Sequence, residues 1–270
     1  MLPSLRLFGQ IELSTYSLMS ILGILLVLGY TAVFAYRTNF NIVDRFGYVL
    51  FAFGGALVFS GLLFQLTQLK NILALLPYLF TDFRYVRDRY PVGIVFYGGL
   101  FGVFFGMWLY SAVLHKDTRC WLFQTVPAIP LFHAVGRIGC ALAGCCYGIV
   151  VEEGGIRNEV IGARCLPVQL YESAGDFVIF LILLCVVLVL YRKQKPRFYL
   201  PLGIYFILYG VLRFVLEFWR GDEIRGIYGG LSTSQWISLI LLPLGLYCLI
   251  CPTDKNFFNT LMNHEKPPRH

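Results

Sequence analysis

Three charged residues stand in the apolar run 198–220, FYLPLGIYFILYGVLRFVLEFWR: Arg213, Glu217 and Arg220. Their i, i+4, i+7 spacing places them on one face if the run is helical. A charge at membrane depth costs about 2.5–3.5 kcal/mol on insertion scales, so such residues turn toward a partner or a wet cavity and mark functional positions. Arg137 is a second residue of this kind, with long uncharged stretches on both sides. It lies in 133–148, HAVGRIGCALAGCCYG, where Gly136, Gly139, Gly144 and Gly148 let the backbone approach a neighbour or a ligand closely. Backbone N–H groups on one side and a guanidinium on the other suit a phosphate. The two arginines therefore point to an anionic ligand, phosphate first. The structural alternative for Arg137 is small-residue helix packing with an arginine snorkelling to the interface.

The elements that must hold these residues are membrane spans. The chain has 270 residues, 58% hydrophobic and only 14% charged, where a soluble domain carries about 25% charged residues. Mean hydropathy is +0.70. Spans of about 20 apolar residues are expected at 13–36, 46–69, 90–115, 120–135, 177–191 (extending back to Ser173), 199–219 and 226–253. The fold class read from this is an all-α integral membrane protein of about seven transmembrane helices. Residues 71–81, broken by Pro77, are too short to cross and read as an interfacial or re-entrant piece. Arg37, Arg45, Lys116, Arg119, Arg192, Lys193, Lys195, Arg197 and Lys255 sit in tight loops on one side. The positive-inside rule makes that side cytoplasmic, with the N-terminus outside and the C-terminus inside. Residues 1–255 read as one polytopic membrane domain and 256–270 as a polar tail. The first apolar run reads as a retained span rather than a cleaved signal. The net charge of +7 belongs to span ends and anionic headgroups, not to nucleic acid. No internal repeat supports an inverted-repeat transporter, and no strand alternation is visible.

GRIG at 136–139, PVQLYES at 167–173 and YGVLRFVLEFWR at 209–220, joined by YGGLFG at 97–102 and TYSLM at 15–19, resemble the prolipoprotein diacylglyceryl transferase family over roughly residues 10–250. The resemblance implies a multi-pass enzyme of the bacterial cell membrane. It implies transfer of the diacylglyceryl group of phosphatidylglycerol to the lipobox cysteine of a prolipoprotein, giving a thioether and glycerol phosphate. Arg137 matches the essential arginine of the glycine-rich signature and is expected to hold the headgroup phosphate. Arg213 matches the second essential arginine and is expected to activate the thiol or stabilise the leaving group, oriented by Glu217 and Arg220. Tyr209 shares the helical face of Arg213. Tyr16, Gly98, Gly99, Gly136, Gly139 and Gly148 complete the expected substrate contacts. No cofactor and no metal are implied. The alternatives are a paralogue serving another acceptor and a non-catalytic phospholipid-binding membrane protein.

Three positions depart from the family pattern. Tyr97 stands where the family has histidine; it is a hydrogen-bond donor but, with an ordinary pKa near 10, a poor base. Tyr97 is nevertheless taken as the third catalytic candidate. Cys140 replaces an asparagine and Cys145 a glutamate. Cys140, Cys145, Cys146 and Cys165 are placed together on the outer side, where a disulfide from Cys145 or Cys146 to Cys165 is one expectation. A zinc site using His133 is a weaker one, because paired C-x-x-C spacing is missing. Gln169, Tyr171 and Glu172 are expected to play a structural part, with Glu172 a partner for an arginine.

Overall fold

The computed structural model describes residues 4–7, 11–38, 42–91, 93, 95–115, 123–193, 197–221 and 226–250. The expected tail at 256–270 lies outside these residues. Nine α-helices are described: α1 (Thr15–Thr38), α2 (Ile42–Thr67), α3 (Leu69–Leu75), α4 (Phe83–Arg89), α5 (Phe96–Leu114), α6 (Ala128–Ala143), α7 (Val168–Arg192), α8 (Leu200–Leu216) and α9 (Thr233–Ile250). Among the described residues, six helical stretches are long and apolar enough to span a membrane: Thr15–Phe34, Val43–Thr67, Phe123–Ala143, Val168–Arg192, Leu200–Trp219 and Thr233–Ile250. Gly98–Leu114 is a shorter apolar helix. Each of the seven overlaps an expected span, but the fourth in chain order runs on to Ala143, past the expected end at 135, and the fifth begins at Val168, before the expected start at 173.

Several local expectations change. Among the described residues three two-stranded antiparallel pairs occur: β1 (Ser4–Leu7) with β2 (Ile11–Ser14), β3 (Ile156–Asn158) with β4 (Ala163–Cys165), and β5 (Ile227–Tyr228) with β6 (Leu231–Ser232). Strands of two to four residues are too short to show alternation. The segment 71–81 contributes to α3 and to a 3-10 turn, Leu76–Tyr78, in which Pro77 takes an early position where its missing N–H costs nothing. Helix α4 follows, capped by Asp82, which accepts from the Tyr85 N–H at 3.0 Å. Helix α7 begins at Val168, directly after Pro167, and so carries PVQLYES into its first turns rather than into a preceding loop.

The chain divides into two compact units. One is Phe40–Thr118; the other is Met1–Asn39 with Arg119–His270. In the first, α2 and α5 pack antiparallel through small residues. A Cβ on Gly102 would stand 2.1 Å from the Gly55 carbonyl oxygen, and one on Gly106 2.0 Å from that of Phe51. A Cβ on Gly98 would meet the Phe59 carbonyl oxygen at 2.4 Å. Gly98, Gly102 and Gly106 thus form a four-residue-spaced stripe that allows backbone contact, as dispersion-driven helix association in lipid requires.

In the second unit α1 packs on α6, α6 on α7, α7 on α8 and α8 on α9. Its exterior carries exposed Leu25, Val178, Ile240 and Tyr247. Its interior holds buried His133, Arg137, Glu172, Asp176, Arg213 and Glu217. This inversion of the soluble pattern is what an apolar solvent selects. Further along α7, Val187 packs with Phe34, Phe123 and Phe198 in an apolar cluster. It lies about 22 Å from Glu172 along the helix, at about 1.5 Å per residue. The polar centre is therefore confined to one end of α7.

Candidate active site

Three helices send polar side chains to one centre, each at helical spacing. Helix α7 presents Gln169, Glu172, Ser173 and Asp176, all buried, from one face. Helix α6 presents His133 and Arg137, one turn apart. Helix α8 presents Tyr205, Tyr209 and Arg213 at four-residue steps, with Glu217 in the 3-10 turn that ends it.

Glu172 sits in the middle, 1% exposed. Its Oε1 lies 3.0 Å from Arg137 Nη2, and its Oε2 lies 3.7 Å from Arg213 Nη1. One carboxylate therefore bridges the two arginines singled out from the sequence. Arg213 has two further partners. Its Nη2 pairs with Glu217 Oε2 and donates to Ser234 Oγ at 3.0 Å. Ser234 is held at the start of α9 by a reciprocal cap: Gln235 N–H donates to Ser232 Oγ at 3.2 Å, and Ser232 N–H to Gln235 Oε1 at 2.9 Å. Asp176 completes the cluster, with Oδ2 lying 2.8 Å from His133 Nδ1, and the His133 ring meets Tyr209 edge-on at 5.4 Å between centroids. Arg137 Nε is buried and has no hydrogen-bond partner among the described residues. That donor is available to an incoming anionic oxygen.

The loop after α6 is fastened on several sides. Gly144 ends the helix in the left-handed region at φ 76°. Asn158 Nδ2 donates to the Gly144 carbonyl at 2.9 Å, and Gln169 Nε2 to the Cys145 carbonyl at 2.7 Å. Gly148 N–H donates to Leu166 O at 3.0 Å, while Ile149 N–H donates to Trp219 O at 2.9 Å and Gly221 N–H to Tyr147 O at 3.0 Å. A Cβ on Gly148 would stand 2.6 Å from the Leu166 carbonyl oxygen, so this glycine is required by the crossing of backbones. Arg220, expected on the helical face of Arg213, is instead extended and forms a β-bridge with Gly148. The helix tightens into a 3-10 turn at Glu217 and ends there, yet Arg220 stays buried, with its charge in electrostatic reach of Glu172 and Cys146.

Arg137, Arg213, Glu217, Tyr209 and Arg220 are thus brought into one unit. Gly139 packs against α1, where a Cβ would stand 3.0 Å from Met19 Cβ and 3.4 Å from Tyr16 Cα. Gly136 has open space around it. Tyr97, Gly98 and Gly99 belong to the α2–α5 unit; Tyr97 is the second residue of α5. Cys140, Cys145, Cys146 and Cys165 are free thiols, so the expected disulfide to Cys165 is absent. Cys165 instead pairs in the β3–β4 ladder opposite Ile156, buried against the hairpin. The Cys146 thiol is held below the usual thiol range by hydrogen bonds from Cys140 and Cys145 and by the charges of Arg137 and Arg220.

Glu172, expected as a partner for an arginine, pairs with two of them, and the His133–Asp176 pair is an addition of the structure. The signal was present in both cases: Asp176 follows Glu172 by four residues, and His133 precedes Arg137 by four. The same rule had already linked Arg213 to Glu217. Ser234 was announced by the S-x-x-Q box at 232–235.

A family model described as prolipoprotein diacylglyceryl transferase matches residues 3–251. The chain belongs to the prolipoprotein diacylglyceryl transferase family. A phosphatidylglycerol–prolipoprotein diacylglyceryl transferase of Clostridium tetani is 31% identical over 250 residues, covering 90% of this chain and 94% of that protein. The second protein of that name in Clostridium perfringens is 32% identical over 191 residues, covering 68% of this chain and 70% of its own. The Dehalococcoides mccartyi protein of strain BAV1 is 35% identical over 172 residues, covering 58% and 62%. Every residue of the buried polar cluster lies inside the span matched by the family model.

Proposed function

We propose that this protein is a transferase of the bacterial plasma membrane that moves the diacylglyceryl group of phosphatidylglycerol to the thiol of a prolipoprotein's lipobox cysteine. The relatives carry the two substrates in their names. The observation that carries the reading in this chain is the pair of buried arginines bridged by Glu172, with the Arg137 Nε donor left over.

In this mechanism Arg137 takes the headgroup phosphate through that donor, in the planar geometry that suits phosphate oxygens. Arg213, oriented by Glu217 and Ser234, supplies the second positive charge. The acceptor's thiol gives up its proton, which ends on the released glycerol phosphate or in water, and the resulting thiolate attacks the glyceryl carbon that carries the phosphate ester. A C–S bond forms and the C–O bond breaks. The electron pair leaves on oxygen, giving glycerol phosphate, whose charge the arginines offset in a water-poor site. Tyr97, in the place of the family's histidine, is kept as the third catalytic candidate. By the positive-inside rule the N-terminus is assigned to the outside and the C-terminus to the cytoplasm.

The test is turnover in detergent with phosphatidylglycerol and a lipobox peptide, following the thioether by mass. Wild type forms product; Arg137→Ala and Arg213→Ala do not. A folded wild-type protein that binds phosphatidylglycerol without forming product would overturn the assignment in favour of lipid binding alone.

A further inference from the structure

Cys140, Cys145 and Cys146 take no part in the transfer chemistry set out above, yet their sulfurs all lie within 4.8 Å of one another. Sulfurs bound at about 2.3 Å around a tetrahedral ion stand about 3.8 Å apart, so small side-chain rotations close this set on a common centre. The backbone is arranged for that convergence. The chain leaves α6 through Gly144 at φ 76° and turns back, so that Cys145 N–H donates to the Cys140 carbonyl at 3.1 Å. Cys146 is then held at φ 57°, a left-handed conformation that a non-glycine residue adopts at a cost of about 1–2 kcal/mol. The bonds from Asn158 and Gln169 to the Gly144 and Cys145 carbonyls keep the loop in place.

We propose that Cys140, Cys145 and Cys146 form a three-thiolate site for a thiophilic d10 divalent cation, zinc being the natural one, with the fourth tetrahedral place open to an outside ligand.

The donor set selects the ion class. Three sulfurs and no oxygen disfavour magnesium and calcium and favour zinc or cadmium. Charge agrees: three thiolates and a divalent cation leave one negative charge, and the nearest fixed charges acting on Cys146 are those of Arg137 and Arg220. Access agrees as well, since Cys145 is exposed, Cys146 half-buried and Cys140 buried, so an ion enters from the Cys145 side. Three protein ligands and an open place are the arrangement of zinc sites that bind a further ligand. His133, Glu172 and Asp176 also converge, but Glu172 is committed to Arg137 and Arg213, and a cation there would face two guanidinium groups. In the thiol loop three thiolates outweigh the divalent cation, so the Arg137 and Arg220 guanidinium groups face a site of net negative charge rather than a bare cation. The proposal concerns this loop alone and stands whether or not the protein transfers lipid.

The experiment is a cadmium titration of the full chain, purified without a histidine tag in detergent, reduced and stripped of metal. Thiolate-to-cadmium absorption in the ultraviolet is expected to saturate at one ion per chain and to be displaced by zinc. Cys140→Ser and Cys146→Ser are each expected to lose most of that absorption, and Cys185→Ser, on the apolar face of α7, to keep it. Absence of a saturating one-equivalent signal in the wild type would overturn the site without recourse to any variant. So would wild-type binding in both serine variants, or equal loss in Cys185→Ser.

Discussion

Replacing Glu172 by glutamine keeps its shape and removes the charge that two buried arginines share. Glu172 is 1% exposed, so solvent offers little screening. Leaving a buried charge unpaired costs about 3–5 kcal/mol. For a chain of this size about 2–4 °C of melting temperature accompanies each kcal/mol, so Glu172→Gln is expected to melt about 6–20 °C below wild type in detergent. The burden falls unequally. Arg213 keeps Glu217 and Ser234, whereas Glu172 is the carboxylate paired with Arg137 at 3.0 Å. A double-mutant cycle with Arg137→Gln should therefore return a coupling of about 1–3 kcal/mol, larger than the cycle with Arg213→Gln. The assay is thermal unfolding of all five variants and the wild type, followed by turnover at a temperature where each is folded. Additivity within about 0.5 kcal/mol in the Arg137 cycle, or a stronger coupling to Arg213, would refute the view of Glu172 as the keystone of the pair.

Arg137→Lys keeps the charge but not the planar fork, and turnover is expected to fall by at least about a hundredfold with the fold intact; activity within tenfold of wild type would argue against phosphate binding through Nε. His133→Phe strands Asp176 in the interior and should lower stability by about 3 kcal/mol, with much of the loss restored in the His133→Phe/Asp176→Leu double variant; melting curves that show no restoration would break the pair. Gly102→Ala should lower the melting temperature, because its Cβ would stand 2.1 Å from the Gly55 carbonyl oxygen, whereas Gly54→Ala, with nothing within 4 Å, should be neutral or stabilising. Equal effects at the two positions would refute the close α2–α5 contact.

The membrane class, the approximate placement of the apolar helices and the inward turn of Arg137 and Arg213 were legible in the chain, because an apolar solvent imposes long uncharged runs and makes each interior charge conspicuous. Residues linked through one helix are equally legible: Arg213 with Glu217, and by the same i, i+4 spacing His133 with Arg137 and Glu172 with Asp176. Which helices meet is another matter. That Glu172 of α7 bridges α6 to α8, that Ser234 of α9 reaches Arg213, and that Arg220 leaves its helix to pair with Gly148 depend on contacts between segments far apart in sequence. Periodicity carries no information about them, since it fixes the face a residue occupies and not the element that face will meet. The cysteines show the same limit. Their expected placement together on the outer side suggested a bridge to Cys165, but the left-handed turns at Gly144 and Cys146 direct two of them back to Cys140, and the β3–β4 ladder holds Cys165 against its own hairpin. Local chemistry determined what these residues are able to do; the packing of helices decided which of them act together.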